Sequence, residues 1–250
     1  PRVNRDAMFQ FILEDLNNAE KNIVHLEIAD KVLPHLDVVY GLKARLYMWV
    51  GDYENAKNYA RLAIDNASAG VMTEADCRDP KTGFNQLSKW MLGSQLVAED
   101  ATVKTGIINW ASWMCNEAEY GYAAAEPMTM IDAAMYNRLN NTDFRKKMFK
   151  APAGHELSGQ EVYISDAFAK YIPTYGAIKF RPNAGNTQEY SVGSSTSYPI
   201  MRVEEMYFIE AEAAEHIAAG EGIALLADFM TTYRNAEYMV DPNADAIDEI

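Results

Sequence analysis

Between residues 36 and 67 the apolar positions recur at three- and four-residue steps, the spacing that stacks side chains along one face of a helix. Val39, Leu42, Leu46, Trp49 and Val50 mark that face in a first helix, and Tyr53, Ala56, Tyr59, Ala60, Ala63 and Ile64 mark it in a second. Gly51 and Asp52 stand between them. Glycine tolerates the left-handed conformation at a helix C-terminus, and an aspartate caps the free amides of the helix that follows. The pattern predicts a helical hairpin. Ala44, Ala56 and Ala60 would let its two helices approach, with Tyr47, Tyr53 and Tyr59 filling the space between them and Trp49 in the core.

The same periodicity recurs on both sides. Arg5 to Lys31 reads as one long or two short helices, with Met8, Phe9, Ile12, Leu13, Leu16, Ala19, Ile23 and Leu26 on the apolar side, ended by Pro34. Pro199 to Gly220 and Gly222 to Arg234 form a second hairpin, expected to pack on the first. The middle is different. From Gly70 to Ser197 glycines, asparagines and polar clusters interrupt the pattern, with a helix expected over Pro127 to Leu139 and a short polar helix or turn over Asn140 to Lys150. Glu161 to Ile164 and Tyr171 to Phe180 look extended, Tyr120 and Tyr122 alternate as on a strand, and Arg181 to Ser197 reads as a long loop.

Tyr40, Ala44, Tyr47, Gly51, Tyr53, Ala56, Ala60 and Ala63 together resemble a tetratricopeptide repeat, in which a small residue of one helix meets a small residue of the next. One repeat cannot bury its own face, so further helical pairs should pack beside it. The expected fold class is mainly α: tetratricopeptide-like hairpins carrying a loop-rich insertion with short strands. The expected organisation is a single domain over 1–250, with a helical scaffold at 5–67 and 199–234 and a loop-rich, ligand-binding region at 70–197.

Composition narrows the function. With 49% hydrophobic and 23% charged residues among 250, the chain is of ordinary globular type. Its formal net charge of -14 repels phosphate backbones, which sets nucleic acid aside as a partner and disfavours anionic membrane surfaces. No apolar run approaches the roughly 20 residues that span a bilayer. The sequence opens at Pro1 with no signal-like segment, so an upstream piece is expected to have been removed. Cys77 and Cys115 could pair or stay free, and neither stands at metal-ligand spacing.

The stretch Tyr198 to Ala214, YPIMRVEEMYFIEAEAA, resembles a segment of the SusD/RagB family through Pro199, Ile200, Arg202, Glu205, Tyr207, Phe208, Ile209, Ala211, Glu212 and Ala213, with Phe208 where leucine is usual. Other pieces follow in the family's order: Phe11 to Leu16 with Ala19, the hairpin at 36–67, Asp143 with Arg145, Ile178-Lys179-Phe180, and Thr232-Tyr233-Arg234. The family's acylated N-terminal cysteine, an early helical region and a C-terminal segment have no counterpart in the sequence, which looks like a fragment of a longer lipoprotein. The resemblance implies a surface-exposed protein of the outer membrane in Bacteroidetes, lipid-anchored through that missing cysteine. It would capture oligosaccharide or polysaccharide, in some members peptide, for import by a TonB-dependent transporter.

Sugar rings present apolar C–H faces that stack on aromatic side chains, while their hydroxyls need fixed polar partners. In the loop-rich region Trp90, Trp110, Trp113, Tyr120 and Tyr122, with Asn109 and Asn116, are the candidates for such contacts, and core packing is the competing role for each. A peptide-binding repeat adaptor is the alternative without an enzyme. A helical glycoside hydrolase is the enzymatic one, for which Glu117 with Glu119, or Glu204, Glu205 and Glu210, would supply the paired carboxyls. Against it, carboxylates on a helix of an acidic protein are usually a solvated face, and Arg202 and Glu205 at three-residue spacing suggest a helical ion pair. His25, His35, His155 and His216 are isolated, and no nucleophile or metal motif is present. No catalytic residue, metal or cofactor is assigned.

Overall fold

A computed structural model describes residues 3–23, 30–125, 128–241 and 245–250. The expectations placed on His25, Leu26 and Pro127 lie outside the described residues. Contacts divide the chain into two compact units. The first comprises Pro1–Val71, Ser88–Gly93 and Pro199–Ile250, and the second Met72–Leu87 and Ser94–Tyr198.

The first unit is helical. Its long helices are α1 (Arg5–Ile23), α2 (Leu36–Val50), α3 (Tyr53–Asp65), α4 (Val203–Ile217) and α5 (Glu221–Tyr233). Gly51 turns α2 into α3 at φ 80°, and the Asp52 carboxylate accepts from the Asn55 amide at 3.2 Å. Ala44, Ala56, Ala60 and Ala63 are wholly buried, which lets α2, α3 and α4 pack closely, with α5 beside α4. The rings of Tyr47 and Tyr59 stack 5.5 Å apart in this core, whereas Tyr53 stacks on His216 at 4.0 Å. Ion pairs add to the apolar contacts: Arg45 reaches Glu205 and Arg61 reaches Glu210. Lys43, fully buried, is held by Asn17 at 2.7 Å and by Glu20.

Three expectations for this unit are corrected. Trp49 is half exposed, because it lies two residues past Tyr47, about 200° round the helix from the buried stripe. The Arg5 guanidinium covers it, 5.0 Å from the ring centroid. Glu205 pairs with Arg45 rather than with Arg202, which instead meets Glu204 at 3.2 Å. The fourth helix begins at Val203, not at Pro199. Residues Ser197–Met201 form a strand, β2, paired with β1 (Leu92–Gln95), and Met201 is buried while its neighbour Ile200 is exposed, the alternation of a pleated chain. Proline is tolerated at such an edge.

The second unit is built from helical segments of four to six residues, three-residue to five-residue 3-10 turns and isolated bridges. Helices this short are not stable alone, so tertiary contacts must fix them. Buried polar groups do much of that. Glu117 and Arg181, both essentially without solvent exposure, form an ion pair, and Glu117 also accepts the Ile164 amide at 2.7 Å. Burial pushes Arg181 down to about 10, which still leaves it charged at neutral pH. Cys77 and Cys115 are both buried, and no disulfide joins them.

Several segments of this unit differ from expectation. Tyr171 to Phe180 does not run as a strand; Tyr171 ends the helical turn Phe168–Tyr171, and the remainder makes single bridges at Gly176, Ala177 and Phe180. Glu161 to Ile164 is irregular. Tyr120 and Tyr122 are not on a strand, because Gly121–Ala124 is a helical turn that Tyr120 precedes. Arg181 to Ser197 is not a plain loop and contains the turns Asn183–Gly185 and Tyr190–Gly193.

Candidate functional site

The segment from Gly106 to Thr129 gathers most of the aromatic candidates. Asn109 opens the helical turn Trp110–Met114, its side-chain oxygen accepting the Ser112 amide at 2.8 Å. The Ser112 hydroxyl in turn accepts the Tyr122 amide at 2.8 Å. Gly121 makes this approach possible. Its φ is 63°, and a Cβ there would stand 1.9 Å from Ser112 Oγ and 2.8 Å from the Gly106 carbonyl. The two turns therefore lie against one another, and the Tyr122 ring stacks on Trp113 with centroids 3.8 Å apart at 28°.

Trp113 remains 50% exposed, and Ile107 and Ile108 of the same segment are exposed as well. The indole is thus braced by a ring and still half exposed. That is the arrangement a flat apolar sugar face requires.

The other candidates are placed differently. Trp110 packs edge-on to Phe180 at 4.9 Å and stacks on Tyr198 at 5.8 Å, partly buried. Tyr120 is 8% exposed within a cluster of Ala111, Cys115, Ala118 and Ala123, and burial raises its phenol pKa. Trp90 has no exposed surface and belongs to the first unit. An indole with no free face cannot stack on a ligand. Asn109 is buried as a cap. Asn116 is also buried and fully used: its amide donates to the carbonyls of Thr129 and Ala177 at 2.7 and 2.8 Å, and its oxygen accepts the Thr129 amide and hydroxyl at 2.9 and 3.2 Å. These residues build the framework, and Asn116 also forms part of the wall of a cleft.

A cleft of about 840 Å³ opens in the same unit, lined among others by Glu119, Ala123, Ala124, Lys170 and Tyr171. Ala123 and Ala124 belong to the turn that carries Tyr122, so the stacked pair and the cleft share a structural element. Tyr171 is 70% exposed. The Glu119 carboxylate accepts from the Thr187 hydroxyl at 3.2 Å and the Gln188 amide at 3.3 Å, while its backbone amide donates to the Thr187 carbonyl at 2.7 Å. Tyr171 and Lys170 were not among the sequence candidates. A signal existed in the tyrosine two residues before Pro173, where a helical turn must stop and its last side chain is left outside.

Of the carboxylates considered as an acid and base pair, Glu119 is exposed and accepts from Thr187 and Gln188, and the others are engaged in ion pairs. Glu117 is buried against Arg181, Glu204 meets Arg202 and Arg234, Glu205 meets Arg45 and Glu210 meets Arg61.

No family model matches the chain, and no curated protein matches it. Solved structures do. A SusD-like carbohydrate-binding protein from Bacteroides vulgatus superposes with a TM-score of 0.68 at 20% identity, over 96% of this chain and 46% of the other. The fold is SusD-like. Surface glycan-binding protein A from Bacteroides thetaiotaomicron, solved in complex with laminarihexaose, gives 0.63 at 16% identity over 98% and 57%. A SusD superfamily protein from the same organism gives 0.61 at 17% identity over 92% and 47%. The chain spans about half the length of these SusD-like structures.

Proposed function

We propose that the protein is a glycan-binding protein of the cell surface that holds oligosaccharide or polysaccharide through its second unit, without turning it over. The observation that carries this reading is the exposed Trp113 indole braced by Tyr122, on the structural element that also lines the cleft of Glu119 and Tyr171. The SusD-like fold supports it, since proteins of that fold are described as carbohydrate-binding and one holds laminarihexaose. The ion pairs of Glu117, Glu204, Glu205 and Glu210 support the non-catalytic part, since they leave Glu119 without a second carboxyl from the candidate set. We extend the proposal, on the fold alone, to a place at the outer membrane with a lipid anchor and to delivery of the captured glycan to a TonB-dependent transporter.

Isothermal titration of the full chain with laminarihexaose, cellohexaose and maltohexaose tests the central claim. Binding to at least one, lost in Trp113→Ala, is the expected result. Absence of heat with any soluble glycan, or release of new reducing ends on incubation, would overturn it.

A further inference from the structure

The chemistry of the cleft goes further than a general affinity for sugars. Its lining holds one carboxylate, Glu119, and one ammonium, Lys170, and no arginine among the described residues. Recognition of a carboxylate or sulfate draws on the planar fork of arginine. The nearest arginine in sequence terms to this machinery, Arg181, is buried and committed to Glu117. Glu119 is different in kind, an exposed carboxylate with a set orientation. One oxygen accepts from Thr187 and the other from Gln188, so each is steered and each keeps lone-pair capacity for a further donor.

From this geometry we infer that the cleft selects uncharged glycans, with the two Glu119 oxygens accepting hydrogen bonds from neighbouring sugar hydroxyls and Tyr171 offering an adjacent ring face. The inference rests on the glycan-binding reading and names its substrate class. Hydroxyl donors to a carboxylate make charge-assisted hydrogen bonds, about twice as strong as neutral ones. A uronate or sulfated sugar in the same place would bring like charge against Glu119. It would also approach a protein in which 36 acidic residues outnumber 22 basic ones.

The test uses the full chain and two sets of probes in one titration series: laminarihexaose, cellohexaose and maltohexaose as neutral ligands, hexagalacturonate and a heparin hexasaccharide as anionic ones. A neutral hexasaccharide should bind and the anionic ones should give no saturable heat. Glu119→Gln should weaken the neutral ligand about tenfold, and Glu119→Ala more, with unchanged melting temperature. Two results overturn the inference while leaving the glycan-binding reading intact. One is an anionic hexasaccharide bound within about threefold of the best neutral one. The other is a neutral affinity that both Glu119 variants leave within about twofold of wild type while Trp113→Ala still removes it. No binding by any probe overturns both.

Discussion

The Tyr122 ring lies 3.8 Å from the Trp113 indole, centroid to centroid, and the indole remains half exposed. An isolated surface tryptophan would lose side-chain freedom when a ligand ordered it; this one is already ordered by its neighbour, so less entropy opposes binding. Trp113→Ala should therefore lower glycan affinity by at least about tenfold, at a stability cost of the roughly 0.5–1.5 kcal/mol of an aromatic pair together with the burial of its covered half. Titration calorimetry and urea denaturation of the same sample measure both. Tyr122→Leu should give a smaller loss in affinity, since it removes the brace and keeps the platform.

Trp90 supplies the contrasting case. It is wholly buried, so Trp90→Ala should cost about 3–5 kcal/mol of stability by leaving a cavity. Glycan affinity of the fraction that remains folded should be unchanged. A titration with active-site counting by stoichiometry separates lost protein from lost affinity.

The helical scaffold was readable because its signal is local and repeated. The stripe from Val39 to Ile64, broken at Gly51-Asp52, needs nothing distant to be interpreted, and the buried alanines then fix how closely the helices approach. Trp49 escaped because three-residue spacing alone does not say which side of the stripe is its centre. The second unit was harder for a physical reason. Its short turns are held by partners far apart in sequence, Glu117 with Arg181 and Asn116 with Ala177, and no periodicity announces such pairs. The aromatic region could be located from composition, yet which rings face solvent depends on those same long-range ties. Trp90 and Trp113 look equivalent in sequence and are opposite in exposure.

The Glu117–Arg181 pair makes a prediction of its own. Removing one partner of a buried ion pair strands the other charge, at a cost of about 3–5 kcal/mol, whereas replacing both by apolar groups is often neutral. Glu117→Gln should destabilise the protein by that order in urea denaturation. The double change Glu117→Leu with Arg181→Met should recover a large part of the loss, less the contribution of the Ile164 amide, which would then lack its acceptor.

Tyrosines with raised pKa values should mark alkaline unfolding, Tyr163 and Tyr207 among them. Burial, with Glu161 nearby, raises Tyr163 to about 12; burial, then a hydrogen bond with Tyr233, raises Tyr207 to about 12. Both folded values stand above the unfolded one of roughly 10. The folded state then binds more protons than the unfolded state between about pH 10 and 12, so stability is complete below pH 10 and declines across that window. Absorbance of phenolate at 295 nm should show a late-titrating group to which these two, the buried Tyr120 and the partly buried Tyr238 belong, and Tyr207→Phe should remove one member and flatten the decline in stability. A titration in which all fifteen tyrosines ionise together near pH 10 would contradict this assignment.

The junction between α4 and α5 depends on a glycine and a carboxylate acting together. Gly220 has no side chain with which to cap α5, and Glu215 reaches across instead, accepting the amides of Gly220, Gly222 and Ile223 at 2.8, 3.0 and 3.1 Å. These bonds, that from Gly220 foremost, hold the Glu215 carboxyl below its ordinary range against an opposing cost of desolvation. Gly222 permits the approach, because a Cβ there would lie 2.1 Å from the Ala211 carbonyl, a backbone atom that cannot swing aside. Gly222→Ala should destabilise by about 1–3 kcal/mol through overpacking at any pH. Glu215→Gln should be milder and pH-dependent. Because the folded carboxyl is the stronger acid, the unfolded state takes up protons first on acidification, and the stabilisation is present above the unfolded value of about 4.3 and lost as pH falls through the folded one. Urea midpoints of wild type and Glu215→Gln should differ at pH 7 and draw together as the pH falls beneath the unfolded value of about 4.3, while those of Gly222→Ala stay displaced throughout.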